Sequence, residues 1–215
     1  MLKTNDIPLR SGVRQVAPRL DEIDLGHRLR YEWAAQRIRP GELALDVGCG
    51  CGYGAEILTA SRCLYFGIDY SPESIEYARM HYGTFGRFAV RDAHSTCGSY
   101  DVLVAFEILE HLDKPEVALA AWHDSLRSWG RLIISVPQGC KRATRHAFHR
   151  TDWTEAQLVE ALEAVGFKPQ CLERQSRLRG DIKPRLAIPG MELAICVEAT
   201  VRNADRPALH KSELG

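Results

Sequence analysis

The chain has no excess of charge: 28 Lys and Arg residues balance 28 Asp and Glu over 215 positions. Proteins that coat nucleic acid draw much of their affinity from phosphate neutralisation, so this balance argues against that class, though it leaves local basic patches open. No two of the seven cysteines stand in C-x-x-C spacing, and their number is odd. Neither a disulfide framework nor a zinc site is expected, and no metal ligand set is legible. Reduced thiols fit a cytoplasmic location. Residues 1–15 contain no apolar core of a signal peptide, and no apolar run approaches a membrane span in length. Internal repeats and low-complexity segments are also missing. What is present, 45% hydrophobic residues on a chain of this length, suits one α/β domain with an ordinary core.

The pattern of elements supports that class. Residues 1–20 are polar, with Arg10, Arg14 and Arg19 between Pro8 and Pro18, and read as an irregular arm. A helical pattern covers the 21–38 region, and Pro40-Gly41 stops it. Strands and helices then alternate. Strands are expected at 43–47, 64–68, 87–90, 100–106, 131–136, about 168–174 and 192–200. Helices are expected from about Tyr53 to Ala60, from Pro72 with Ser71 as N-cap, from Asp113 as N-cap to Trp129, and from Thr154 to Gly166. The run DVLVAF at 101–106 has the continuous apolar character of a strand buried on both faces. Alternation of this kind implies a doubly wound, mostly parallel sheet with helices on both faces. Residues 1–40 form the arm and first helix, 41–202 the main domain, and 203–215 a loose tail.

The strongest local signal is Asp46-Val-Gly48-Cys49-Gly50-Cys51-Gly52-Tyr53-Gly54, which follows a strand and opens a helix. Glycines there let a ligand approach the backbone, and the helix end offers free N–H groups. Gly50, Gly52 and Ala55 also fit the G-x-G-x-x-A form of a dinucleotide fingerprint. Asp46 argues against that reading, because a carboxylate would repel a pyrophosphate and favour a cation. Adenosylmethionine carries a sulfonium and an α-amino group and no phosphate. Asp69 and Asp92 follow the second and third strands, where they could meet ribose hydroxyls and the adenine amino group. The ordinary alternatives stay open: a turn former for Asp46, a solvated strand end for Asp69, a cap for Asp92.

Taken together, several runs resemble class I S-adenosylmethionine-dependent methyltransferases. LALDVGCGCGYGAEIL looks like their first motif, YFGIDYSPESIEYAR their second and FAVRDAH their third. SYDVLVAFEILEHLDKP is similar to the fourth, and GRLIISVP to the fifth strand. The resemblance spans about residues 27–166. It implies a Rossmann-like sheet of seven strands with an antiparallel final strand, binding S-adenosylmethionine. It places the cofactor among Asp46, Gly48, Cys49, Gly50, Tyr53, Asp69, Tyr70, Asp92, Ala93, Phe106 and Glu107. Of these, Asp69 would serve the ribose, Asp92 the adenine, Tyr70 one adenine face, and Phe106 and Glu107 the neighbourhood of the sulfonium. HRLRYEWAA, GYGAEIL, FEILEHL and AFHRTDWTEAQL resemble a branch of small enzymes linked to sugar or cell-surface glycan pathways. LRSWGRL departs from that branch where a proline-glycine turn is usual, and His146-Ala147 stands where it carries asparagine-proline. No D/N-P-P-Y/F follows the fourth strand, so the resemblance to amino-directed DNA methyltransferases fails, and no Pro-Cys pair offers a cytosine nucleophile.

Methyl transfer to an oxygen or nitrogen of a small molecule calls for a proton acceptor beyond the strand ends. His111, His146 and His149 are the candidates. The segment from Pro137 to Trp153 has no periodicity and carries Lys141, Arg142, Arg145 and Arg150. That charge reads either as a solvated loop or as a cradle for an anionic acceptor. Tyr31, near the arm, reads either as part of a lid over the cofactor or as helix-packing core. Three other readings remain: a noncatalytic adenosylmethionine-binding partner, a nicotinamide-dependent oxidoreductase, and an RNA or protein methyltransferase, the last without an aromatic-basic motif. The oligomeric state is not legible.

Overall fold

The computed structural model describes residues 16–137, 150–176, 182–183 and 192–201. Strands β1 (Leu43–Val47), β2 (Leu64–Asp69), β3 (Arg87–Val90), β4 (Tyr100–Phe106) and β5 (Leu126–Pro137) are joined by parallel pairing. Three more follow: β6 (Phe167–Ser176), β7 (Ile182–Lys183) and β8 (Glu192–Val201). The order across the sheet is β3-β2-β1-β4-β5-β8-β6-β7. β8 is antiparallel to both β5 and β6, and β7 is antiparallel to β6. Among the described residues the sheet therefore has eight strands of mixed orientation, not seven. The additional one is β7, whose two residues are too few to show a side-chain period.

Among the described residues five helices cover the sheet: α1 (Leu25–Ala35), α2 (Gly54–Thr59), α3 (Pro72–Tyr82), α4 (Pro115–Asp124) and α5 (Glu155–Ala164). Every residue of β4 is buried. Its alternating side chains feed two cores. Val102, Val104 and Phe106 belong to a cluster with Trp33, Ile57 and Ile75 from α1, α2 and α3. Leu103 and Ala105 belong to a second cluster with Trp122, Leu158 and Leu162 from α4 and α5.

Local chemistry sets most of the boundaries. Ser71 Oγ accepts from Ser74 N–H, and Pro72 opens α3. Thr154 and Gln157 form a reciprocal capping box on α5. Three expectations change. The first helix is shorter than 21–38: residues 20–22 form a 3-10 turn, and α1 starts at Leu25 with Asp24 accepting from Gly26 N–H at 2.8 Å. Lys114, not Asp113, occupies the N-cap of α4 and makes no side-chain cap. The fourth helix stops at Asp124 and not at Trp129, because the chain has already joined the sheet. Leu126 pairs with Tyr100, and the register then shifts so that Arg131 faces Val102. Strand pairing here outweighs the helical character of the sequence. Arg131 secures the far end of this irregularity. It is buried, with Nη2 on Glu42 at 2.7 Å and on Arg37 O at 2.9 Å, and Nε 3.5 Å from Glu198.

β1 has β2 on one side and β4 on the other. The connections leaving β1 and β4 thus diverge, which opens a crevice at the carboxyl ends of the strands, where open α/β sheets bind ligands.

Candidate cofactor and acceptor site

Three acids end three adjacent strands at this crevice. Asp46 lies within β1 and is fully buried, so it is not a turn former. Two phenols enclose it: Tyr65 donates to Oδ2 at 2.7 Å and Tyr31 at 3.0 Å. Burial pushes its carboxyl up to about 7, although both hydrogen bonds pull the other way. Two glycines make the room. A Cβ on Gly54 would stand 2.2 Å from the Tyr31 ring, and one on Gly67 would stand 2.8 Å from the Tyr65 hydroxyl. Tyr31 also meets Tyr53 and Phe106 edge-on, at 5.4 and 5.1 Å between centroids. It is 4% exposed and packs as core.

Asp69, at the end of β2, is not a solvated strand end. It is buried, and its two oxygens accept from Gly50 N–H at 3.0 Å and Ser71 N–H at 2.9 Å. It therefore ties the glycine loop to the start of α3. Gly48 and Gly50 both take positive φ, +73° and +54°, which the turn after β1 requires. Asp92 is a cap, as one of its ordinary readings held: its Oδ1 accepts from His94 N–H at 2.7 Å and faces His94 Nδ1 at the same distance. The His94 backbone bond, more than the imidazole, holds it below the usual carboxylate range. Ala93 gives its carbonyl to Trp122 Nε1 at 2.8 Å, and Tyr70 is exposed at the rim.

Phe106 closes β4, and Glu107 follows it at φ +51°. A residue other than glycine held there is rare, and such strain is common at functional sites. Glu107 is fixed by Ser135, whose Oγ donates to Oε1 at 2.8 Å and whose carbonyl accepts the Glu107 N–H at 3.1 Å. Cys49 and Tyr53 are buried beneath the loop, and Tyr53 Oη lies 3.1 Å from His27 Nδ1. Burial, aided by Arg30, lowers the His27 imidazole to about 4.

His111 ends a 3-10 turn after β4, with Nε2 3.7 Å from Glu110 Oε1. His146 and His149 lie outside the described residues, as do Lys141, Arg142, Arg145 and the tail at 203–215. Arg150 pairs with Asp113, and its N–H donates to Glu110 O at 2.8 Å. Glu110 is 1% exposed, and burial together with the Glu107 charge pushes its carboxyl well above the ordinary range.

Sequence reasoning missed Tyr65, Ser135, His27, Arg30 and Gln175 as site neighbours. They come from separate segments and carry no motif. Glu110 was visible only as a letter in FEILEHL. Among the described residues no group of three His, Cys, Asp or Glu could hold a metal ion, and no helix is long and apolar enough to cross a membrane. A separate cavity of about 590 Å³, lined by Leu43, Leu64, Arg87 and Tyr100, sits at the opposite edge, where β1 to β4 begin.

Residues 45–134 match the family described as Methyltransferase domain. A probable S-adenosylmethionine-dependent methyltransferase of Mycolicibacterium smegmatis is 28% identical over 154 residues, covering 66% of this chain and 58% of that protein. A ubiquinone biosynthesis O-methyltransferase of Xanthomonas axonopodis pv. citri is 31% identical over 115 residues, covering 50% and 48%. The chain thus spans about half the length of the curated relatives it matches. Among solved structures, a TehB-like SAM-dependent methyltransferase from Corynebacterium glutamicum superposes with a TM-score of 0.64 at 25% identity, covering 84% of this chain and 90% of that one. The domain match runs from the core of β1 to β5.

Proposed function

We propose that this chain transfers the methyl group of S-adenosylmethionine to an oxygen or nitrogen of a small-molecule acceptor. The observation that carries the reading is the tie from Asp69 to the Gly50 amide, which shapes the loop at the β1/β4 switch point. A cationic adenosine cofactor fits the residues present. A Cβ on Gly50 would meet nothing within 4 Å, so the loop opens onto free space beside the Asp69 carboxylate. Asp69 and Glu107 make this edge acidic, which suits a sulfonium and an α-amino group and opposes a pyrophosphate. Asp69 would hold the ribose, Asp92 and Tyr70 the adenine, and Gly48, Phe106 and Glu107 the methionine end. Cys49 and Tyr53 would pack beneath, and Ala93 would lie beside the adenine.

When bound, S-adenosylmethionine supplies a methyl group already activated by the positive sulfur. The protein's part is to align the acceptor and exclude water. His149, then His111, which follows β4, and then His146 are the candidates to take the acceptor proton. Sugars and glycan precursors are the acceptors that the sequence resemblance favours, while the O-methyltransferase relatives favour an oxygen. A cytoplasmic location completes the reading, and cell fractionation tests it.

Calorimetric titration with S-adenosylmethionine, with NAD as control, comes first. Selective binding of the former is expected, followed by S-adenosylhomocysteine formation in an acceptor screen. Binding of NAD alone would overturn the reading in favour of an oxidoreductase. Cofactor binding with no turnover on any acceptor would favour a noncatalytic partner protein.

A further inference from the structure

The cavity of about 590 Å³ at the amino ends of β1 to β4 is built from residues that the crevice does not use for a ligand. Its position follows from the strand connections. Leu43 faces Leu64, and Phe66 faces Arg87, across parallel strands. Side chains alternate along a strand, so Leu43, Leu64, Phe66 and Arg87 share one face of the sheet. Leu43 and Phe66 pack there against the core that Trp122 of α4 and Leu158 of α5 complete. The crossover from β3 to β4 carries only a 3-10 turn, Ala93–Ser95, and so adds no helix to this face. The start of β2 is left bare, with Leu64 63% exposed.

Phe85, from the turn after α3, and Tyr100, at the start of β4, complete the wall. Two of its phenols are engaged elsewhere. Tyr65 directs its hydroxyl to Asp46, and Tyr100 donates to Cys97 O at 3.3 Å. Both therefore offer the cavity mainly ring surface. Arg87 is the one charged residue of the lining. It is exposed, and it makes no hydrogen bond or ion pair among the described residues. A volume of about 300–1,000 Å³, an apolar wall and a few polar groups characterise small-molecule sites. The rings of Phe66, Phe85 and Tyr100 favour a flat aromatic guest. A single carboxylate matches the fork of the guanidinium. A phosphate dianion would hold its second charge against an apolar wall without a partner.

We propose that this cavity is a second binding site, for a small aromatic carboxylate whose ring lies against Phe66, Phe85 and Tyr100 and whose carboxylate pairs with Arg87. The glycine loop lies at the other end of β1, roughly 13 Å away. The two ends can be filled together, and a guest at this one is too distant to be the methyl acceptor.

The test titrates the full chain, saturated with S-adenosylhomocysteine, with naphthalene-2-carboxylate and with naphthalene-2-carboxamide by calorimetry. Both are expected to bind, the carboxylate about fivefold tighter, the scale of one partly exposed charge-assisted hydrogen bond. Arg87→Gln should level the two by weakening the carboxylate alone. Leu64→Glu, at an exposed position, puts a carboxylate at the mouth and should weaken both. Binding of neither probe by the wild type, or equal binding of the two, overturns the proposal. An unchanged preference in Arg87→Gln overturns the pairing with Arg87. Binding that Leu64→Glu leaves unchanged, or that S-adenosylhomocysteine abolishes, places the probe elsewhere and overturns the site. Inorganic phosphate binding tighter than the carboxylate overturns the choice of ligand. The Leu64→Glu comparison locates the probe even in a chain that binds no S-adenosylhomocysteine, so this test stands apart from the methyltransferase reading.

Discussion

Replacing Asp46 by Asn should change how the protein's stability depends on pH. Asp46 ionises near 3.8 in an unfolded chain and near 7 in the folded one, where burial outweighs the two phenolic hydrogen bonds. Between these values the native state keeps a proton that the unfolded state has lost. Asp46 therefore contributes stability that is fully present below about pH 4 and is lost as pH rises through about 7. Each pH unit is about 1.4 kcal/mol, so the loss across the window is about 4 kcal/mol at most. Asn keeps an oxygen to accept from Tyr65 and Tyr31 and cannot ionise. The assay is urea unfolding of wild type and D46N at intervals from pH 4 to pH 8. The difference between the two proteins isolates Asp46 from His27, whose lowered value gives the opposite slope, and from Glu110. The stability of D46N should gain on wild type steadily above pH 4, reaching several kcal/mol by pH 8. Parallel curves would refute the claim that burial keeps Asp46 protonated.

Other expectations follow from single contacts. Gly54→Ala drives a Cβ into the Tyr31 ring and should cost about 1–3 kcal/mol by overpacking, read from the urea midpoint. Arg131→Met takes the guanidinium from Glu42 and leaves Glu198 to Arg37 alone, and should cost about 3–5 kcal/mol in the same assay; a loss below about 1 kcal/mol would mean the network is solvated. Asp69→Ala frees the Gly50 and Ser71 amides and should weaken S-adenosylmethionine binding at least about tenfold by calorimetry. Limited proteolysis should show slower cleavage within residues 1–40 when the cofactor is present if the arm closes over it; identical patterns would refute a lid.

Much of the architecture was written locally. Ser71-Pro72, the Thr154–Gln157 box and the apolar run of β4 each act within one turn or one strand, so their signals are short-range and were readable. The glycine run and its acids were readable for the same reason, because a strand-turn-helix unit is contiguous. The errors fell where pairing partners decide. Residues 126–130 look like the end of a helix until Leu126 finds Tyr100 across the sheet. β7 exists as a strand only because β6 lies beside it.

The site divides in the same way. The sequence by itself determined the fold class, the loop after β1, and the acids at the carboxyl ends of the first three strands. Tertiary structure alone decided their environments. Tyr31 reaches Asp46 across 15 residues, Tyr65 across 19, Ser135 reaches Glu107 across 28, and Gln175 reaches Arg30 across 145. Protonation and partner depend on burial and on distances of a few ångströms. Those quantities belong to the packed chain, so no spacing along the sequence could announce the raised carboxyl of Asp46 or the amide that holds Arg30.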